Sequence, residues 1–443
     1  MAVNKGCLVH KESTMSSKDT TRKTDKSRRD FLKTSAAVGA ATTFTAANAV
    51  HAQGSDILKV GLIGCGGRGT GAAVNAMRAE DNLRLTAMAD VFGDRLEHSR
   101  NILERQIGDK FAVTEESSYT GFDGYKELMA GDVDVVLLCT PPHFRPAHIE
   151  EAVKQNKHVF CEKPVATDSV GVRQVMDAVR VAKEKDLNVV SGLCWRYDYG
   201  VRAVMEQIKS GVIGDITSIQ ENYLTGTLWH RGRKPDWSEM EYQVRNWLYF
   251  TWLSGDHIVE QHIHSLDKAM WLMDDVPPVR ATGLGGRQQR VDEQWGHGFD
   301  HFAVCYEWEN GAKTYAYTRQ QSGCSNNVED YVTGTKGTAK ILRHSIEVGG
   351  EEKFRYRGPK PSMYDVEHKE LFAAIRSGET INNGDYMCTS TLMAIMGREV
   401  CYTGQTISWD QMMDSEQNLA PAVYQWGDVE VPKVAIPGKT KFV

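Results

Sequence analysis

The segment Gly64-Cys65-Gly66-Gly67-Arg68-Gly69 constrains this chain more than any other feature. It ends an apolar run at 57–64 that reads as a buried strand, and it opens a helical pattern over about 71–78. A G-x-G-x-x-G by itself says little. Between a strand and a helix, its glycines allow a tight turn and close backbone approach to a pyrophosphate, which the helix N-terminus then faces. Asp90 closes the next predicted strand, 83–89, and lies 26 residues after Gly64. A carboxylate there accepts hydrogen bonds from a ribose and repels a 2′-phosphate, so NAD is favoured over NADP. A flavin or S-adenosylmethionine would suit the same cradle, and a glycine turn with no ligand is the plainest alternative. Arg68 reads equally as a phosphate contact or a solvated charge.

Further strands are predicted at 133–139, closed by Thr140-Pro141-Pro142, at 158–161 and at 187–192. Helical patterns fill the intervals 95–106, 147–155 and 170–185. Strands alternating with helices of this length predict an α/β fold built on a doubly wound parallel sheet. That half ends near Trp195. Beyond it the pattern changes to strands at 216–223, 279–284, 301–308, 314–319, 330–333 and 339–342, with turns such as Glu309-Asn310-Gly311. These predict an open, mostly antiparallel sheet in a C-terminal α+β domain. One long helix over 256–273 interrupts the strands, and helices return at 364–377 and 388–403. The predicted division is a leader over 1–53, a nucleotide-binding domain over 54–195 and a substrate and oligomerisation domain over 196–443.

The leader has its own signature. Ser27-Arg28-Arg29-Asp30-Phe31-Leu32-Lys33 precedes an uncharged, weakly apolar stretch that reaches Ala47-Asn48-Ala49, a small-residue cleavage pattern. The paired arginines resemble a twin-arginine signal, which predicts export of an already folded protein to the periplasm or beyond. No segment after the leader reaches the ~18 apolar residues of a membrane span. Nine cysteines, none in a C-x-x-C pair, read as scattered thiols kept reduced in the cytosol. Folded export also suits a cofactor that is loaded first and held tightly. The whole chain carries −6, but its first 53 residues carry +5, which leaves −11 on the body. An acidic body argues against nucleic acid as a partner.

Glu162-Lys163-Pro164 ends a sheet strand, where ligands bind in open α/β folds. A lysine there can hold a substrate hydroxyl near a nicotinamide and ease its proton loss. On the 256–273 helix, His264 lies about 40° and Asp267 about −20° from Glu260, so all three would share one face. His264 is then the candidate base, Asp267 a candidate to fix its tautomer, and Glu260 a hydroxyl-binding carboxylate. His257 and His262 raise zinc, but His262 points about 160° from His264 and no H-E-x-x-H is present, so no metal is predicted.

Eight aromatic residues fall between 223 and 252, four of them tryptophans, interleaved with His230, Arg231, Arg233 and Arg245. Rings beside polar donors suit carbohydrate, while core and subunit packing is the plain reading. Arg245 and Trp247 are expected nearest the pocket.

Taken in order, the glycine motif, Asp90, Thr140-Pro141-Pro142, Glu162-Lys163-Pro164 and Glu260-Gln261-His262-Ile263-His264-Ser265-Leu266-Asp267 resemble the Gfo/Idh/MocA oxidoreductases over about 57–410. The resemblance implies a Rossmann domain, an α/β domain whose open sheet packs in homo-oligomers, and a sugar or cyclitol held over the nicotinamide. It implies that Gly64, Cys65, Gly66, Gly67, Arg68, Gly69, Asp90, Thr140, Pro141, His143, Glu162 and Lys163 hold the cofactor. Lys163, His264 and Asp267 match the family's chemical residues, with Glu260 where the pattern has aspartate. Lys163, Arg245, Trp247, Glu260 and His264 would meet the substrate. The expected function is an exported NAD-dependent oxidoreductase acting on a hydroxyl-bearing ring carbon of a sugar, glycoside or cyclitol. The alternative is an NAD-requiring glycosidase of the same superfamily, working by transient oxidation and elimination without net redox. A non-catalytic sugar- or cofactor-binding protein is a third class.

Overall fold

Strand β1 (Leu58–Ile63) sends Leu58, Val60 and Leu62 into one core and Ile63 into another, and all four are essentially unexposed. The same division holds for β4 (Val135–Leu138), where Val135 and Leu137 face one core and Val136 and Leu138 the other. A strand buried on both faces must be covered by helices on both, which is the condition for a parallel sheet. With β2 (Leu83–Asp90), β3 (Ser118–Thr120), β5 (His158–Cys161) and β6 (Val189–Ser191), these strands form one parallel sheet in the order β3-β2-β1-β4-β5-β6. The order reverses between β1 and β4, which is where such sheets open a ligand crevice. The computed structural model describes residues 56–443. The leader, and the expectation that residues 1–50 pack on nothing, lie outside the described residues.

The second sheet has nine strands: β7 (Ile216–Thr225), β8 (Arg280–Gly286), β9 (His301–Glu307), β10 (Lys313–Gln320), β11 (Asn327–Gly334), β12 (Gly337–Lys340), β13 (Ser345–Val348), β14 (Glu351–Arg355) and β15 (Ile407–Ser408). Their order is β14-β13-β12-β11-β7-β10-β9-β8-β15. Every pairing is antiparallel except β7 with β10. The fold is therefore α/β, a Rossmann-like parallel sheet followed by a mixed, mostly antiparallel one.

The C-terminal third ties the two sheets together. Helix Met363–Ser377 returns to the first sheet, where Val366, Leu371, Phe372 and Ile375 enter the core that also holds Leu58, Val60 and Leu62. Helix Gly384–Thr403 is buried over most of its length, and Leu392, Met393 and Val400 share a core with residues of both sheets.

The expected single helix over 256–273 is two. His257–Glu260 is capped by Asp256, whose Oδ1 accepts from the His257 amide at 2.7 Å. After a turn at Gln261 and His262, a second helix runs over Ile263–Leu272. The turn is tightened by i→i+3 bonds from the His264 amide to the Gln261 carbonyl and from the Ser265 amide to the His262 carbonyl. Wheel geometry across residues 260–267 does not survive that break.

Candidate active site

The glycine loop is built by close backbone approach. Gly64 has φ +95°, and a Cβ on Gly69 would stand 1.8 Å from the Gly64 carbonyl oxygen, so neither position accepts a side chain. Gly66 and Gly67 differ, because a Cβ there would meet nothing within 4 Å. Their open side faces a cavity of about 550 Å³. Asp90, at the tip of β2, accepts from the Cys65 amide at 2.7 Å and the Phe92 amide at 2.9 Å, so it braces the loop. Burial pushes its carboxyl up from the usual range, and these two N–H groups and Arg95 pull it back. A pyrophosphate-sized anion fits the open glycines and the helix N-terminus on one wall, with the braced Asp90 carboxylate beside them for a ribose rather than for the anion.

The opposite end carries the titratable groups. Lys163 and Glu260 come from different halves of the chain and pair at 2.9 Å, and the Lys163 ammonium also donates to the Glu260 carbonyl. His264 lines the same cavity, and its buried Nδ1 has no hydrogen-bond partner. Burial, followed by the charges of Lys163, Lys268 and Arg68, holds its imidazole well below the ordinary histidine value. The imidazole is therefore held in its neutral form, the form a base must start from, while the same burial and charges weaken it as a proton acceptor. Together, Lys163 and His264 put a fixed cation and a neutral base at one wall of the crevice. That arrangement can orient a hydroxyl and accept its proton.

Gly64, Gly66, Gly67, Arg68, Gly69, Asp90, Thr140, Pro141, Glu162, Lys163, Trp247, Glu260 and His264 all line this cavity. Four expected residues do not. The Cys65 thiol turns inward against the Ala89 carbonyl, and its amide is taken by Asp90. His143 meets the Tyr424 hydroxyl at 2.7 Å and stands edge-on to Trp252. Asp267 does not orient His264. It is 1% exposed, holds Arg196 through both oxygens at 2.9–3.0 Å and accepts from Ser390 at 2.8 Å. Arg245 is not at the pocket either; it pairs with Asp94 and Glu241 over the Phe92 ring.

Arg68 lines the crevice but is neither a free phosphate contact nor a solvated charge. It is engaged by Glu162 and by Glu367 at 3.2 Å, with its guanidinium over the Tyr364 ring. Half of the aromatic stretch is core: Tyr242, Tyr249, Phe250 and Trp252 form a buried cluster with Phe92. Trp229 and Trp247 are the ones that reach the cavity. Sequence reasoning did not assign Arg95, Cys194 or Tyr364 to the site. Arg95 had a signal, five residues past Asp90 in the next helix; Tyr364 had none, since its helix returns from far along the chain. Among the described residues, no cluster of three or more His, Cys, Asp or Glu could hold a metal ion, and all eight described cysteines are free thiols.

Residues 58–193 match the oxidoreductase family's NAD-binding Rossmann fold, residues 205–388 its C-terminal alpha/beta domain, and residues 27–45 a twin-arginine translocation signal. The chain is 29% identical over 227 residues to 2,7-anhydro-N-acetylneuraminate hydratase of Escherichia coli, covering 50% of this chain and 56% of that protein. It is 28% identical over 258 residues to myo-inositol 2-dehydrogenase of Thermotoga maritima, covering 58% and 66%. The aldose–aldose oxidoreductase of Caulobacter crescentus shares the fold at TM-score 0.63 and 18% identity, over 80% of this chain and 99% of that one. Among the described residues, no helix is long and apolar enough to cross a membrane. The two domain matches together span well over half of the sequence: the chain belongs to the Gfo/Idh/MocA oxidoreductase family, binds a nicotinamide cofactor and carries a twin-arginine export signal.

Proposed function

We propose that this is an exported, NAD-dependent enzyme that oxidises or reduces a hydroxyl-bearing ring carbon of a sugar, glycoside or cyclitol. The observation that carries the reading is the meeting of Lys163, Glu260 and His264 in the cavity that also holds the glycine loop. The relative named myo-inositol 2-dehydrogenase supports the substrate class. When bound, the nicotinamide supplies a two-electron hydride acceptor and donor. Gly66 and Gly67 give the pyrophosphate room, and Asp90 takes the adenosine ribose, favouring NAD. Lys163, held by Glu260, binds the reacting hydroxyl. Neutral His264 takes its proton and returns it in the reverse direction. Trp229 and Trp247 cover an apolar sugar face.

A second reading is a redox-neutral lyase, hydratase or glycosidase, in which the ring hydroxyl is oxidised only transiently. Two relatives named 2,7-anhydro-N-acetylneuraminate hydratase favour it, since a hydratase makes no net oxidation. Here His264 would also serve the adjacent C–H. Tight retention of NAD suits this reading, because such a cofactor is regenerated in place.

The test is to mix purified protein and NAD with a panel of sugars and cyclitols and follow the reduced nicotinamide band. Aryl glycosides are assayed in parallel for nitrophenol release. A change in the band supports the dehydrogenase, release without added NAD supports the redox-neutral reading, and silence in both refutes the dehydrogenase and the glycosidase.

A further inference from the structure

Residues 415–443 form no helix or strand, yet they are tied down at intervals. The Leu419 amide donates to Asp168 at 2.9 Å, in the first half of the chain. The Gly427 carbonyl accepts from the Met240 amide at 3.0 Å, in the second. Fully buried Arg398 donates to Gln417 at 2.8 Å. Between these ties, two rings press on the outside of the crevice wall. Trp426 stacks on Phe92 at 5.4 Å between centroids and meets Phe122 at 4.9 Å. Tyr424 meets Phe122 at 5.9 Å, and its hydroxyl reaches His143 at 2.7 Å.

Phe92 and Phe122 themselves line the cavity. They sit on the loops that leave β2 and β3, beside Asp90, at the edge of the sheet where an adenosine would lie. The tail therefore backs both loops and joins them to the other half of the chain. Its hold is shallow, since Tyr424 and Trp426 remain 44% and 46% exposed. A segment with little buried area and no regular hydrogen bonds opens locally without unfolding the core.

We propose that residues 417–429 are a strap that sets how long the nucleotide stays bound, with Trp426 and Tyr424 as its positioning residues. The proposal rests on the nicotinamide reading above. The strap holds the Phe92 and Phe122 loops closed over the adenosine end, so nucleotide release waits on strap opening. The closed strap also favours the nucleotide-bound state, so linkage requires nucleotide in turn to quiet the strap. An exported protein gains from this, because it leaves the cell's nucleotide pool carrying one cofactor.

The experiment uses the full mature chain loaded with NADH. Release is followed by loss of protein-sensitised NADH fluorescence on mixing with excess NAD. Trp426→Ala is expected to release NADH about tenfold faster, ~1.4 kcal/mol, while Trp426→Phe stays near wild type. Tyr424→Phe, which removes only the hydroxyl contact with His143, is expected to accelerate release to a smaller degree. In the unmodified protein, hydrogen exchange in the 419–429 peptide should slow when NADH saturates it. Unchanged release in Trp426→Ala, or exchange in that peptide indifferent to NADH, overturns the strap and leaves the nicotinamide reading intact. A wild-type protein that binds no NADH overturns both.

Discussion

Two single-methyl substitutions in the glycine loop should separate folding from cofactor binding. At Gly69 the new methyl would lie 1.8 Å from the Gly64 carbonyl oxygen and 3.2 Å from the Cys139 side chain. The first contact is more than an ångström inside the 3.0 Å that real Cβ atoms respect, and its partner is backbone, which no rotamer change can move aside. Gly69→Ala must displace the turn, at a cost of ~1–3 kcal/mol or more by the usual scale of overpacking. Gly66 is the N-cap of the Gly67–Ala79 helix with φ −71° and ψ −178°, a conformation alanine adopts freely, and its methyl would meet no protein atom. It would instead occupy the space the pyrophosphate needs. Gly66→Ala should therefore keep the wild-type melting temperature without nucleotide and weaken NADH binding at least tenfold, ~1.4 kcal/mol. Gly69→Ala should lower the melting temperature by several degrees in the absence of nucleotide. Thermal melts and NADH fluorescence titrations read the two effects independently. Wild-type NADH affinity in Gly66→Ala would refute the placement of the dinucleotide on this loop.

His264→Ala should cut turnover by ~10²–10⁴ with little change in NADH affinity, as expected for loss of a proton acceptor; equal loss of both in rapid kinetics would contradict that role. Asp90→Ala should do the reverse, raising the KM for NAD with a milder effect at saturating cofactor, and should also loosen the loop that Asp90 braces. Because burial and three nearby cations hold the His264 imidazole well below its usual range, kcat/KM should not fall between pH 7 and pH 6 through protonation of this residue. His148, His262 and His368 are buried and drawn to about 3, against 6.5 in the unfolded chain. The unfolded state binds the extra protons, so stability is lost as pH falls from 6.5, on the order of 4 kcal/mol per pH unit near pH 5 for the three. Glu221 and Glu367, held above the carboxylate range by burial, oppose this in part, so melts at pH 7 and pH 5 should show a net decrease. Replacing Arg28 and Arg29 by lysine should retain the protein in the cytoplasm, as read by cell fractionation.

What could be read from sequence was whatever local pattern controls. Two-sided burial in β1 and β4 leaves continuous apolar runs, and the glycine spacing reports a turn made within a few residues. The first half of the fold followed from such runs, and the second from strands whose burial alternates, as in β9 and β10. The error at 256–273 has a different origin. The cap at Asp256 is completed by distant groups, the Phe299 amide at 2.7 Å and the Tyr402 hydroxyl at 2.6 Å. His262 turns into the core beside Glu221, 3.8 Å away. A helical wheel sees none of these, so it placed Asp267 behind His264 when Arg196 claims it. Arg245 failed for the same reason, since its partner Asp94 lies in the other half of the chain. Lys163 and Glu260 were both singled out, but their pairing is a product of the two halves closing together.

The most direct test of the central claim is a native mass measurement of the exported protein, followed by denaturation and identification of the released nucleotide. The same preparation is mixed with sugars and cyclitols while the reduced nicotinamide band is recorded. The account predicts a bound NAD(H) whose redox state responds to a ring polyol in wild type and does not in His264→Ala. Protein that binds no nicotinamide nucleotide, even when it is supplied in excess, would contradict it.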